Sequence, residues 1–224
     1  MIRAGRVLVD DTPVDKPGTR VRPEAVLRVR GQDRRFVSRG GEKLAGALAD
    51  LGLDPTGLCC LDLGASTGGF SDCLLQAGAE RVVAVDVGYG QLDLRLRDDP
   101  RVRVLERTNA RHLTREQIPE DVDLVTIDVS FISSRRLLER LPEVAPRAQV
   151  LVMVKPQFEL DPGRVGKGGV VRDDALRQQA VEDVATAAQS LGYQRRGQTD
   201  SQLAGPKGNR EVFLWLSPAG PRGA

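Results

Sequence analysis

The residues with the most chemistry in them stand at the ends of apolar runs. LCCLD closes on Asp62, RVVAVD on Asp86, DVDLVTID on Asp128, and AQVLVMVKP on Lys155 and Pro156. In open α/β sheets, ligands gather beyond the C-terminal ends of the strands. One carboxylate at a strand end often does no more than cap the next helix. Four ionisable ends on one sheet edge form a candidate site, because buried charges cost free energy unless they pair. A Lys–Asp pair there is an arrangement in which ionisation is tuned for function.

A glycine turn follows the first of these ends. LCCLDLGASTGGF (Leu58–Phe70) is an apolar run, a glycine-containing turn and the start of a second apolar segment. That pattern makes the strand–loop–helix corner where α/β proteins bind nucleotides. The dinucleotide fingerprint requires glycine at its first, third and sixth positions. Gly64 and Gly69 meet the outer two, and Ser66 holds the middle one. The middle glycine lets the backbone approach a pyrophosphate. Its absence, with Asp62 just before the turn, suits a nucleoside cofactor without phosphate, such as S-adenosylmethionine. A plain tight turn before a helix is the competing reading, and a nicotinamide dehydrogenase a distant one. Asp86, 22 residues after Gly64, is placed to accept both hydroxyls of a ribose.

The elements that would position these residues alternate. Helices are expected over residues 42–51, after a Ser38 cap, and over 69–77, 87–99, 134–141 and 173–190. Between them fall the runs ending at Asp62 and Asp86, the run RVRVLE, and those ending at Asp128 and Lys155; YQRRGQTDSQL and EVFLWLS close the chain. Alternation of this kind implies a parallel sheet covered on both faces. Lys43 lies near the start of its helix, against the macrodipole, which is explained either by a task or by ordinary surface charge. Gln157–Val171, rich in glycine, reads as a long loop and a candidate lid.

Composition narrows the class. The 224 residues are 40% hydrophobic and 29% charged, enough for one domain with a small appendage. No apolar run reaches the roughly 18–20 residues of a membrane span, and the N-terminus has no signal-peptide core, so a cytoplasmic location is expected. Cys59, Cys60 and Cys73 match no metal spacing and read as small buried hydrophobes. His112, the only histidine, reads as non-catalytic. Residues 1–43 carry a net charge of +5 and the remainder −3. A basic segment on an acidic body suits phosphate-backbone contact, and equally a solvated arginine-rich face.

Within residues 1–31, GRVLVD, the turn DDTPVDKPG and AVLRVR suggest two or three short strands, studded by Arg3, Arg6, Arg20, Arg22, Arg28 and Arg30. The segment resembles the C-terminal half of an S4-type RNA-binding domain. That pattern begins with two helices absent from this sequence, as though the start were truncated or the RNA module partly lost. A basic linker (32–40), a catalytic domain (41–217) and a disordered tail (218–224) are expected to follow.

Lys43, Asp128 in IDVSFIS, Lys155 in VKPQFE and Glu211 in GNREVFLWL together resemble the Lys–Asp–Lys–Glu tetrad of FtsJ-like ribose 2′-O-methyltransferases. More narrowly, SRGGEKL, DLGASTGGF, VDVGYGQL, ERTNAR, DVSFIS, VKPQFE and GKGGVVRD resemble the TlyA-type family, described both as hemolysins and as rRNA 2′-O-methyltransferases. The resemblance spans residues 32–217. It implies a Rossmann-like, seven-stranded class I methyltransferase sheet whose last strand inserts antiparallel, S-adenosylmethionine as cofactor, no metal, and ribosomal RNA or ribosomal subunits as partners. It implies Lys155 as base, Lys43 and Asp128 positioning the hydroxyl and donor methyl, and Glu211 holding the lysine; pure in-line positioning without a base is the alternative. Cofactor contacts are implied for the turn Gly64, Ala65, Ser66, Thr67, Gly68, Gly69 and Phe70, for Asp86, and for Asn109 and Ala110 beside the adenine. Asp62 would hold the loop or the amino group. Phe158 is the candidate for stacking on a base, while Phe213 and Trp215 read as core. The rival readings are a membrane-active protein and an RNA-binding protein without catalysis.

Overall fold

The computed structural model describes residues 2, 7–10, 12–29, 35–205 and 207–219. The chain divides into two units, 1–35 and 36–224. The first holds three short antiparallel strands, β1 (Val7–Val9), β2 (Thr12–Val14) and β3 (Leu27–Val29), in the order β2-β1-β3. Strand β2 lies inside DDTPVDKPG, which the sequence presents as turn alone. Asp10 fastens the connection by accepting from the Val26 N–H at 2.9 Å. Arg3, Arg6 and Arg30 lie outside the described residues.

The second unit is a seven-stranded sheet flanked by helices. Helix α1 (Arg39–Leu51) precedes β4 (Cys59–Leu63), α2 (Gly69–Gln76), β5 (Arg81–Val85), α3 (Leu94–Arg97) and β6 (Val102–Leu105). Then come β7 (Leu124–Ile127), α4 (Arg135–Leu138), α5 (Leu141–Val144), β8 (Gln149–Val154), α6 (Pro156–Glu159), α7 (Asp174–Ser190), β9 (Tyr193–Asp200) and β10 (Val212–Pro218). The order is β6-β5-β4-β7-β8-β10-β9. Strands β4 to β8 run parallel, and β10 inserts antiparallel between β8 and β9. The expected topology is the one found.

Period-two alternation splits the core between the two faces. Leu61, Leu63, Val83, Val85, Val125, Ile127, Val150 and Val152 face one cluster with α4, α5 and α7. Cys60, Val82, Ala84, Leu124, Leu151, Met153 and Phe213 face the other with α1 and α2. Each fully buried aliphatic side chain contributes about 1.5–3 kcal/mol, so a strand covered on both sides is firmly registered. That registry fixes which residue stands at each strand end.

Several expected elements are shorter or broken. The helix expected over 87–99 is only Leu94–Arg97. Gly90 sits at φ +66°, and Asp93 starts the helix by accepting from the Arg95 N–H at 3.0 Å. The single helix expected over 134–141 is instead two, because Pro142 enters the first turn of α5 and cannot continue a preceding helix. The segment 157–171 is no open loop: α6 and a 3₁₀ turn at Pro162–Arg164 occupy it, and Gly166 bridges Val170. At the boundaries, Phe36, within the expected linker, is buried in the second unit's core. Pro218, at the head of the expected tail, pairs with Tyr193 as the end of β10. Residues 31–34 and 220–224 lie outside the described residues.

Candidate active site

Helix α1 opens with the expected cap: the Ser38 hydroxyl accepts from the Gly40 N–H at 3.2 Å. The Phe36 ring lies where a side chain at Gly41 would project, 2.3 Å from an added Cβ, which locks the entry of the helix. Lys43 therefore falls on the same buried face as Leu44, Ala47 and Leu48. There its ammonium forms an ion pair with Glu211, just before β10. Gly205 backs the pair closely, since a Cβ there would come within 2.7 Å of Glu211 Oε1.

Asp128 follows β7 and Lys155 follows β8, neighbouring parallel strands. Lys155 Nζ stands 2.5 Å from Asp128 Oδ1 and donates to Ser130 Oγ at 3.0 Å. The glycine turn abuts this pair: at Gly64, φ +90°, a Cβ would lie 2.4 Å from the Asp128 carbonyl oxygen. Only glycine allows both that φ and that approach. All four tetrad residues, with Gly64, Ala65, Ser66, Thr67, Gly69 and Phe70, line one cleft of about 520 Å³.

The remaining candidates are distributed around it. Gly68 caps α2 at φ +94° and packs against Leu92 and Leu96. Asp86 accepts from the Ser66 N–H at 2.8 Å and the Gly88 N–H at 2.7 Å, bracing the turn from a small recess shared with Ala65 and Ser66. Ser66 itself takes φ +50°, a left-handed conformation uncommon for serine. Asp62 is fully buried and accepts from Ser71 Oγ at 2.6 Å and Thr126 Oγ1 at 3.0 Å. Burial pushes its pKa up to about 6 against the pull of these two hydroxyls, with the Asp128 charge adding to the rise. It ties β4 to α2 and β7 and does not line the cleft. Asn109 caps the 3₁₀ turn Ala110–His112 through the Arg111 N–H, and Ala110 packs on the larger core cluster. Neither lines the cleft, and His112 is exposed.

Four contributors escaped the sequence reading. Ser130, two residues after Asp128 in DVSFIS, is the hydrogen-bond acceptor of Lys155. Asn209 is buried, accepts from the Val171 N–H at 2.9 Å and donates to the Gly169 carbonyl at 2.8 Å, so it pins the glycine-rich segment. Glu159 anchors α6 by accepting from Ser133 Oγ at 2.5 Å and from the Ser134 N–H and hydroxyl at 2.7 Å each. Phe131 is 91% exposed at φ +67°, its ring centroid 5.3 Å from that of Phe158. Both rings line the cleft. Phe213 instead is buried and stacks on Phe70, while Trp215 donates to Gln149 at 2.9 Å. No group of three His, Cys, Asp or Glu side chains arranged to hold a metal occurs among the described residues.

Residues 36–217 match the FtsJ-like methyltransferase family model. The chain belongs to the FtsJ-like methyltransferase family. A 16S/23S rRNA (cytidine-2′-O)-methyltransferase, TlyA, from Mycobacterium tuberculosis is 52% identical over 218 residues, covering 96% of this chain and 81% of that protein. Hemolysin A of Brachyspira hyodysenteriae is 38% identical, covering 95% of this chain and 89% of the relative. Among solved structures, a provisionally named hemolysin from Streptococcus thermophilus superposes with a TM-score of 0.82 at 38% identity, covering 98% of this chain and 81% of that one. The FtsJ-like match takes in both ion pairs and the glycine turn. Among the described residues, no helix is long and apolar enough to cross a membrane.

Proposed function

We propose that the chain methylates the ribose 2′-hydroxyl of ribosomal RNA, with S-adenosylmethionine as donor. The observation that carries this reading is the convergence of the Lys155–Asp128 and Lys43–Glu211 pairs on the glycine turn within one cleft. The residues present fit the cofactor. The cleft is of ligand size, and Gly64 and Gly69 leave a cradle that Cβ atoms would fill, at 2.4 Å from Asp128 O and 2.1 Å from Ser38 Oγ. Gly64 to Phe70 would hold the amino-acid and ribose part and Asp86 the ribose side, while Asn109 and Ala110, outside the cleft but following Thr108, whose N–H donates to the Asp86 carbonyl, would flank the adenine. Asp62 would act from behind, through α2. When bound, the cofactor supplies a methyl group on a sulfonium, open to attack by an oxygen in line.

The chain's own part is to present that oxygen and take its proton. A neutral lysine amine has two N–H bonds and one lone pair. Lys155 gives one N–H to Ser130 and stands 2.5 Å from Asp128, and in its neutral form its lone pair would take the 2′-hydroxyl proton as the oxygen attacks. Lys43, held by Glu211, keeps a positive charge near the developing alkoxide. Phe131 and Phe158 offer a surface on which an unstacked base can lie, as RNA recognition commonly requires. The name of the Mycobacterium tuberculosis relative supports ribosomal RNA as the substrate class, which fits a cytoplasmic protein.

The test is transfer of labelled methyl from S-adenosylmethionine to purified, unmodified ribosomal subunits. Label on ribose that falls at least 100-fold in Lys155→Ala, a loss typical of removing an acid–base group, is the expected result. Cofactor binding without label in the wild type would leave an RNA-binding protein without catalysis, and liposome leakage without label would revive the membrane-active reading. A pH–rate profile separates the two roles of Lys155. A base gives a rate that climbs with pH to a plateau, while an ammonium that only positions the oxygen gives no such climb.

A further inference from the structure

Six charged side chains line the cleft: Arg39, Lys43, Lys155 and Lys207 against Asp128 and Glu211. The two ion pairs account for four of them. Arg39 is partly engaged, donating through Nη2 to the Ala204 carbonyl at 3.0 Å. Lys207, three residues further along the same segment, makes no hydrogen bond or ion pair among the described residues. Its ammonium reaches across to the glycine-rich segment, where a Cβ on Gly169 would lie 3.7 Å from Nζ. Asn209 ties these two segments together through Gly169 and Val171. The lip that carries Lys207 is thus fastened down, and its cation has no counter-charge among the described residues.

A ribose bound for 2′-O-methylation brings that counter-charge with it. Its 3′-phosphodiester is attached to the carbon next to the one bearing the reactive hydroxyl, so a sugar seated at Lys155 carries an anion into the same cleft. Contacts to phosphate set register and depth without reading sequence. We propose that Lys207 holds the phosphodiester beside the target ribose and thereby sets how far the hydroxyl advances toward Lys155. The inference rests on the cleft being an RNA ribose methylation site. It makes Lys207 a positioning residue of a site whose other two lysines are held in ion pairs. The methionine carboxylate of the cofactor is the other anion available there, and the experiment is arranged to tell the two apart.

Wild type, Lys207→Ala and Lys207→Arg are compared in binding to unmodified ribosomal subunits across about 50–200 mM salt, and separately in binding S-adenosylmethionine. Each phosphate contact contributes about 0.7–0.9 to the slope of log K against log salt. Lys207→Ala is therefore expected to bind RNA more weakly with a slope shallower by that amount. Its deficit then shrinks about threefold over the salt range, KM for subunits rises, and cofactor affinity stays unchanged. Lys207→Arg should restore the slope. An unaltered slope overturns the proposal, as does weakened cofactor binding with normal RNA binding, which would assign Lys207 to the carboxylate. The slope needs only binding, so it decides Lys207 even if the wild type transfers no methyl and the proposed reaction falls.

Discussion

Replacing Lys43 with methionine separates what the buried pair does for the fold from what it does for catalysis. Lys43 is 8% exposed and Glu211 2%, so the substitution leaves a buried carboxylate without its ion-pair partner. Breaking a buried pair costs about 3–5 kcal/mol. Both residues line the cleft, and water there softens the penalty toward the lower figure. For a domain of this size about 3 kcal/mol lowers Tm by about 6–12 °C. The double substitution Lys43→Met with Glu211→Leu removes both charges, and buried pairs replaced by apolar groups are often neutral in stability. The expected pattern is a large Tm loss in the single variant, recovery in the double, and no methyl transfer in either. Calorimetry supplies the melting temperatures, and labelled methyl transfer the activity. A single variant that melts with the wild type would show that the pair is not desolvated. A double variant that melts as low as the single would make lost packing, not the orphaned carboxylate, the cause.

Asp62, raised to about 6 against about 3.9 in an unfolded chain, binds its proton more tightly when folded. Its contribution to stability is therefore full below about pH 4 and is lost as pH rises through about 6, of order 3 kcal/mol in all. Asp62→Asn should lack that dependence, so urea unfolding ought to show the wild type losing stability relative to the variant between about pH 4 and pH 7; parallel curves would refute it. Gly69→Ala would put a Cβ 2.1 Å from Ser38 Oγ and 3.0 Å from the Gly41 nitrogen, at the junction of α1 with α2. A stability loss of about 1–3 kcal/mol from overpacking is expected together with weaker cofactor binding by calorimetry, and normal affinity would show that the turn tolerates the shift.

The sequence by itself determined the sheet and most of the chemistry placed on it. Short apolar runs bounded by turn signals and alternating with helical patterns read as parallel strands buried on both faces, which sets their ends, Asp62, Asp86, Asp128 and Lys155, along one edge. The Ser38 cap was legible for a local reason, a serine just before a helical pattern; that Asp173 is likewise a cap, accepting from the Ala175 N–H at 2.8 Å, is a finding of the structure. Partnership was not legible. Lys43 and Glu211 are 168 residues apart, and only the insertion of β10 beside β8 brings Glu211 to the start of α1. Asp62 shows why identity at a strand end is insufficient, because the side chain alternation that places it there turns it into the sheet–helix interface, away from the cleft. Ser130, Asn209 and the exposed ring of Phe131 carried no periodic signal. Their roles arise where separate loops meet, and contacts between loops are set by tertiary packing, which local propensity and spacing do not encode.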